Sequence, residues 1–337
     1  MATEGEGLQA DLVLGGGGVK GIGLVGALVA LTAAGYRFNR ISGTSAGAIV
    51  GSLAAAGLTG ERLRQGVLSL DYAKFKDPAP LESIPLAGKA AALVEGDGIY
   101  HGDCAHEWLR SQLAALGVHT FADLKINDRS LPPERCYKLV VTASDVTLGQ
   151  LVRFPWDYES VYGLDPDEMA VADAIRASMS VPFIFRPVTL TNATTKLTST
   201  LVDGGLLSNF PIDSLDRTDG RQPRWPTFGV ALLPNLPAGD KVVPLLGPPL
   251  PGGLRLLEDV IATTLVGQDQ AQLNQPWVSA RTIRVDSTQV GVLDFRITDA
   301  QTQALYQHGY DAASTFLSTW DWPAYIQRFR QGIYGPG

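Results

Sequence analysis

Ser45 stands in Gly43-Thr44-Ser45-Ala46-Gly47, a G-x-S-x-G pentapeptide, and the chemistry this spacing serves is nucleophilic attack on an acyl carbon. The reason is mechanical. A serine on a sharp turn between a strand and a helix exposes its hydroxyl, and glycines on either side let the two backbones come close enough to make that turn. At the start of the following helix Ser45 would also meet the positive end of the helix dipole, which favours a developing oxyanion. An ordinary glycine turn with a capping serine is the alternative that the pentapeptide alone leaves open.

Gly16-Gly17-Gly18-Val19-Lys20-Gly21 is the second chemical signal, and it has two readings. Gly16, Gly18 and Gly21 fit the G-x-G-x-x-G of a dinucleotide-binding turn. That fold wants an acidic residue about 20 positions on to hold a ribose, and no acidic residue occurs between Leu12 and Gly60. Arg37 or Arg40 would have to take a 2′-phosphate instead. A Walker loop is excluded, because Lys20 is followed by Gly21 and not by Ser or Thr. In the other reading, Gly16 and Ser45 are 29 residues apart, about the length of one βαβ unit. The two glycine turns then fall at the carboxyl ends of neighbouring parallel strands, and a row of backbone N–H groups faces the serine hydroxyl as preorganised donors for an oxyanion.

A nucleophilic serine needs a base. The histidines are His101, His106, His119 and His308. In the Ser, Asp, His chain order of α/β-hydrolases only His308 could complete a triad with Asp203, but it lies inside the amphipathic stretch 298–317 and reads as a packing residue. Asp203-Gly204-Gly205 follows a β-branched strand at 198–202, which would bring the carboxylate to the same sheet edge as Ser45. Glu95, Asp97, His101, Asp103 and His106 have no standard metal-ligand spacing, so neither a metal nor a cofactor is expected.

The elements that must position these residues alternate as in an α/β protein: strand 11–14, helix 22–34, strand 37–42 and helix 48–56. Residues 60–133, with Pro78, Pro80 and Pro85, read as an inserted cap that contains a helix at 104–116. Strands follow at 137–143, 151–154, 198–202, 227–233 and 281–285, with helices at 169–179, 254–273 and 298–317. Six prolines between 234 and 253 make that segment a long loop. The 337 residues carry a net charge of −7 and only 18% charged residues, which disfavours a nucleic-acid partner. A hydrophobic content of 45% excludes disorder. Cys104 and Cys136 are too few for a disulfide scaffold. The N-terminal residues lack the basic and apolar regions of a signal peptide, and the apolar stretches 21–35 and 46–58 fall short of the ~18 residues of a membrane span. The expectation is a cytoplasmic protein with at most peripheral membrane contact. For an acidic chain such contact would rest on apolar segments, at 84–88 with Leu93 and Val94, or at 244–250.

The glycine loop, the serine pentapeptide and Asp203-Gly204-Gly205, together with Ala174-Ile175-Arg176-Ala177-Ser178-Met179-Ser180-Val181-Pro182-Phe183, resemble the patatin-like phospholipases over about residues 10–318. The resemblance implies a three-layer α/β/α fold with a central, mostly parallel sheet, a nucleophile elbow and an inserted cap region. It implies a Ser-Asp dyad without histidine, in which Ser45 is the nucleophile and Asp203 the base. Gly16, Gly17 and Gly18 match the oxyanion loop and Lys20 its basic residue, while Gly21, Gly43, Gly47, Gly204 and Gly205 complete the motifs. Residues 8–318 would form the catalytic domain and 319–337 a tail. The implied function is a lipid acyl hydrolase that cleaves phospholipids, lysophospholipids or related fatty-acyl esters. An acyltransferase using the same serine, or a non-catalytic nucleotide- or lipid-binding module, are the alternatives.

Overall fold

An apolar run without polar alternation marks a strand covered on both faces. The first strand, β1 (Leu8–Leu14), ends in such a run, Leu12-Val13-Leu14, and is buried from Ala10 to Leu14 with Asp11 among the buried residues. In the computed structural model, which describes residues 7–70, 100–233, 263–264, 269–292 and 294–330, β1 lies inside an eight-stranded sheet. A tight turn leads to α1 (Ile22–Ala33), followed by β2 (Tyr36–Thr44), α2 (Ala46–Ala55), α3 (Gly60–Leu68) and α4 (Asp103–Ala115). Next come β3 (Leu139–Asp145), β4 (Gln150–Phe154), α5 (Tyr158–Tyr162), α6 (Val171–Ser178), β5 (Val188–Thr191) and β6 (Thr198–Asp203). The chain continues through β7 (Thr227–Leu232), α7 (Gln270–Leu273), α8 (Pro276–Ser279), β8 (Thr282–Val285), α9 (Asp299–Thr319) and α10 (Trp322–Phe329).

The strand order is β5-β6-β3-β2-β1-β7-β8, with β4 also on β3. The run from β3 through β2, β1 and β7 to β8 is parallel, and β4, β6 and β5 join antiparallel. The sheet is thus mixed and mostly parallel, with flanking helices. One edge of β3 is shared in tandem. β2 pairs along it as far as Thr44 opposite Thr142, and β6 takes over at the next residue, with Asp203 opposite Ala143. β4 occupies the other edge, from Val141 to Asp145. Where β2 turns away, β6 fills the vacated edge, and this brings the end of β6 beside the end of β2.

α1 is apolar on nearly every side because it is enclosed: nine of its residues, from Ile22 to Leu31, are buried. It packs on α9 so closely that a Cβ on Gly309 would lie 1.9 Å from the Gly23 carbonyl oxygen. α3 packs on α1 and α2 through Leu63 and Val67, and α4 packs on α2 and α6. Each fully buried Leu or Val in these contacts contributes roughly 1.5–3 kcal/mol. Asp11 marks a register shift between β1 and β2; its Oδ1 accepts the Arg40 N–H at 3.1 Å and its Oδ2 accepts from the Arg40 guanidinium, Nε at 3.1 Å. The guanidinium also donates to the Leu215 carbonyl at 2.7 Å.

The proline-rich segment 234–253, the prolines at 78, 80 and 85, the apolar segment 84–94, the acidic residues Glu95 and Asp97, and residues 254–262 and 265–268 of the expected helix 254–273 lie outside the described residues, while its end is α7. Among the described residues no helix is long and apolar enough to cross a membrane.

Candidate active site

β2 delivers the chain into the elbow at Thr44, and Ser45 takes φ 53° and ψ −119°, a left-handed conformation for a residue with a Cβ. Strain of this kind persists where surrounding structure imposes it. Here the imposing contact is that of α2 with β1: a Cβ on Gly47 would lie 2.3 Å from the Leu14 carbonyl oxygen, so only glycine lets α2 start this close to the sheet. Gly43 precedes the turn and Gly21 packs against Ala46 from the neighbouring loop. The Ser45 N–H donates to Ser178 Oγ at 2.8 Å, and the Ser45 carbonyl accepts from Ala48 at 2.9 Å to open α2.

Asp203 ends β6 and is 2% exposed. Its N–H donates to the Ser180 carbonyl at 2.8 Å, and its Oδ1 accepts the Gly205 N–H at 2.8 Å, across a turn that begins at Gly204. Burial pushes the Asp203 carboxyl up to about 6; hydrogen bonds from the Ser45 side chain and the Gly205 N–H offset part of that rise. Thr44 and Thr142 bond through their hydroxyls at 2.7 Å and tie the strands together just below the serine. The structure thus brings Ser45 and Asp203 side by side at one end of the sheet.

The glycine loop from Gly15 to Gly18 lies along the same cleft. The Gly16 N–H is engaged: it donates to the Asn209 carbonyl at 3.0 Å, while the Asn209 side chain approaches the Gly16 oxygen at 3.5 Å. The N–H groups of Val19 and Lys20 are also engaged, with the carbonyls of Val292 and Gly17. Those of Gly17 and Gly18 bond to no carbonyl among the described residues. Gly18 has φ 56°, and a Cβ there would meet the Val292 carbonyl oxygen at 2.0 Å.

Lys20 and Asp269 line the same cleft of about 70 Å³ as Ser45 and Asp203. Lys20 is 1% exposed; burial pushes its ammonium down to about 8, and the Asp286 carboxylate opposes that shift. Asp269 is 7% exposed; burial pushes its carboxyl up to about 6, offset by the N–H groups of Phe210 and Asn209 and the Ser208 hydroxyl. Asn209 and Asp269 carry no motif in the sequence and are found only through the fold. A second cleft of about 40 Å³ also reaches Ser45 and is lined by apolar side chains from α2, α3 and the segment after α6.

Other sequence candidates lie elsewhere. His308 bonds the Asp286 carbonyl through Nδ1 at 3.0 Å, His106 bonds Asp173 through Nε2 at 2.7 Å, and among the described residues no histidine lines either cleft. Arg40 is not free to take a ribose phosphate, because it is buried against Asp11. Removing a buried ion pair's partner costs about 3–5 kcal/mol, so this arginine is committed to joining β1 and β2.

Comparison with known proteins is consistent across sequence and structure. The family model described as Patatin-like phospholipase matches residues 12–216. The uncharacterized protein YqhO of Bacillus subtilis is 37% identical over 232 residues, covering 68% of this chain and 72% of that protein. The uncharacterized NTE family protein Rv2565 of Mycobacterium tuberculosis is 27% identical over 325 residues, covering 90% of this chain and 46% of that protein. The chain therefore spans less than half the length of this mycobacterial relative. The crystal structure of VipD from Legionella pneumophila is similar with a TM-score of 0.51 at 19% identity, covering 93% of this chain and 67% of that one, a likeness of fold.

Proposed function

This chain belongs to the patatin-like phospholipase family, and from that premise we propose that it is a serine hydrolase cleaving fatty-acyl esters of phospholipids or lysophospholipids through a Ser45-Asp203 dyad. The observation that carries the proposal is the strained Ser45 beside the buried Asp203 carboxyl, both lining one cleft with the glycine loop. A carboxylate is a weak base for a hydroxyl. Burial strengthens this one by disfavouring its charged form, yet at about 6 it is still mostly ionised near neutral pH.

In the first step Ser45 Oγ attacks the ester carbonyl carbon while Asp203 takes the hydroxyl proton. The carbonyl oxygen becomes an oxyanion, for which the N–H groups of Gly17 and Gly18, bonded to no carbonyl among the described residues, are the donors, with Gly16 holding their frame. The carbon–oxygen bond to the alcohol then breaks, and Asp203 returns its proton to that alcohol. Water attacks the acyl-enzyme with Asp203 again as base, the fatty acid leaves, and the proton passes back to Ser45. The sequence needs no histidine, in keeping with clefts that contain none among the described residues. Residues 8–318 are the segment we assign to this catalytic unit.

Labelling with a fluorophosphonate and mapping the modified residue by mass spectrometry tests the assignment. The expected result is one adduct, on Ser45, absent from Ser45→Ala. A folded protein that takes no label at Ser45 would overturn the reading.

A further inference from the structure

Ser45 is shared by two clefts of unlike character. One sets the ionisable and polar groups Lys20, Asp203, Asn209 and Asp269 among apolar walls that include Phe210, Leu232 and Leu273. The other is lined by Ile49 and Val50 of α2, Val67 and Leu70 at the end of α3, and the rings of Phe185 and Phe295. Besides Ser45 the clefts share only Gly18 and Val181, so the serine stands at their junction.

We infer that the ester straddles this junction, with its acyl chain in the apolar cleft and its alcohol half in the cleft of Lys20 and Asp269. The inference rests on Ser45 being the nucleophile. A carbonyl carbon in bonding distance of Ser45 Oγ carries the acyl chain on one side and the leaving oxygen on the other, so the two halves must point along different paths. Each methylene moved from water into the apolar cleft contributes about 0.8 kcal/mol. A chain laid in the other cleft would instead lie against the ionisable Lys20 and Asp269 and offer them no hydrogen bond, which disfavours it. A glycerol or head-group hydroxyl in that cleft can bond to the Lys20 ammonium and add to the donors Asp269 already has from Phe210, Asn209 and Ser208. Asp203 faces the same cleft, which suits its return of a proton to the departing alcohol.

The walls of the apolar cleft therefore read chain length. Val67 is 2% exposed and Leu70 5% exposed, so both are packed against their neighbours and neither swings aside freely. The class of substrate this favours is a lipid ester with a hydrocarbon acyl group and a polar, hydrogen-bonding alcohol.

The experiment is a chain-length series of p-nitrophenyl esters, from butyrate to dodecanoate, on Val67→Trp, Leu70→Trp and Phe295→Ala. Filling the cleft with Val67→Trp or Leu70→Trp should lower the dodecanoate-to-butyrate ratio of kcat/KM by about tenfold or more, the scale on which a pocket discriminates one or two methylenes. Phe295→Ala enlarges the cleft from another wall and should raise the ratio, which keeps the test open if a tryptophan variant fails to fold. Leu233→Trp, in the polar cleft, should leave the ratio in place. Ratios unchanged in all three apolar-cleft variants, or a ratio that falls with Leu233→Trp instead, would overturn the orientation. Failure of the hydrolase reading is distinct, because the wild-type chain would then take no fluorophosphonate at Ser45.

Discussion

Ser178 and Ser180, two residues apart at the end of α6, hold Ser45 and Asp203 by their backbones: Ser178 Oγ accepts the Ser45 N–H and the Ser180 carbonyl accepts the Asp203 N–H, each at 2.8 Å. One short stretch of chain thus fixes the separation of two residues that are far apart in sequence. Ser178 is fully buried. Ser178→Ala leaves the Ser45 N–H without an acceptor, a stability loss of about 1–3 kcal/mol. Because the orphaned group belongs to the proposed nucleophile, kcat should fall by about tenfold or more while KM changes little. Thermal melts and steady-state kinetics on one ester check this, and a stability loss with unchanged kcat would make Ser178 a packing residue only.

Ser45→Ala and Asp203→Asn should each lower ester hydrolysis by several orders of magnitude with circular dichroism intact. The two groups act in one proton transfer, so the double variant should be little worse than either single one. Near-full activity in folded Asp203→Asn would remove Asp203 from the mechanism.

How much of this was legible in the sequence depended on how local the physics is. The elbow and the Asp203 turn follow from glycines within a few residues of the functional group, and the strands that carry them are apolar runs with clear ends. The short edge strand β5, with the half-exposed pattern of Val188-Thr189-Leu190-Thr191, has too few residues for its alternation to stand out. α10 had its signals in place, with Pro323 in its first turn and Asp321 capping Ala324 at 2.9 Å, although that stretch reads as a tail. Asn209 reaches Gly16 across 193 positions, and no motif records such a contact. The same holds for Arg40, whose partner Asp11 appears only once β1 and β2 are paired with their register shift.

The pH dependence follows from the buried carboxyl. Asp203 must be ionised to accept the serine proton, so kcat/KM should rise with pH along an acidic limb with an apparent midpoint near 6. Stability moves the other way. The Asp203 carboxyl is raised from 3.8 to about 6, so the folded chain keeps a proton over that interval that the unfolded chain releases. The wild-type chain therefore loses stability relative to Asp203→Asn as pH climbs from about 4 to above 6, by up to about 3 kcal/mol. Paired thermal melts at pH 4 and pH 8 should show Asp203→Asn gaining on the wild type at the higher pH only. A gain of equal size at both pH values would mean that ionisation of Asp203 is not its source.

Histidine should be dispensable. His308 is turned to the Asp286 carbonyl and His106 to Asp173, so His308→Ala and His106→Ala should retain most ester hydrolysis. A thousandfold loss at His308 in a folded protein would restore a Ser-Asp-His triad and displace the dyad.

The glycine loop allows the oxyanion donors to be told apart. A Cβ on Gly16 would meet the Asn209 Oδ1 at 2.1 Å, the far end of a side chain that can turn away. A Cβ on Gly18 would meet the Val292 backbone oxygen at 2.0 Å, at a φ of 56° that side chains rarely adopt, so the backbone itself must shift. The Gly16 N–H is already held by the Asn209 carbonyl, whereas the Gly18 N–H is unengaged among the described residues. Losing one oxyanion donor costs about a hundred- to a thousandfold in kcat. Gly18→Ala should therefore lose at least that much in both kcat and the rate of fluorophosphonate labelling, and Gly16→Ala markedly less. If Gly16→Ala proved as damaging as Gly18→Ala on both measures, the Gly16 N–H would have to leave Asn209 during the reaction, and the donor set would extend to all three glycines.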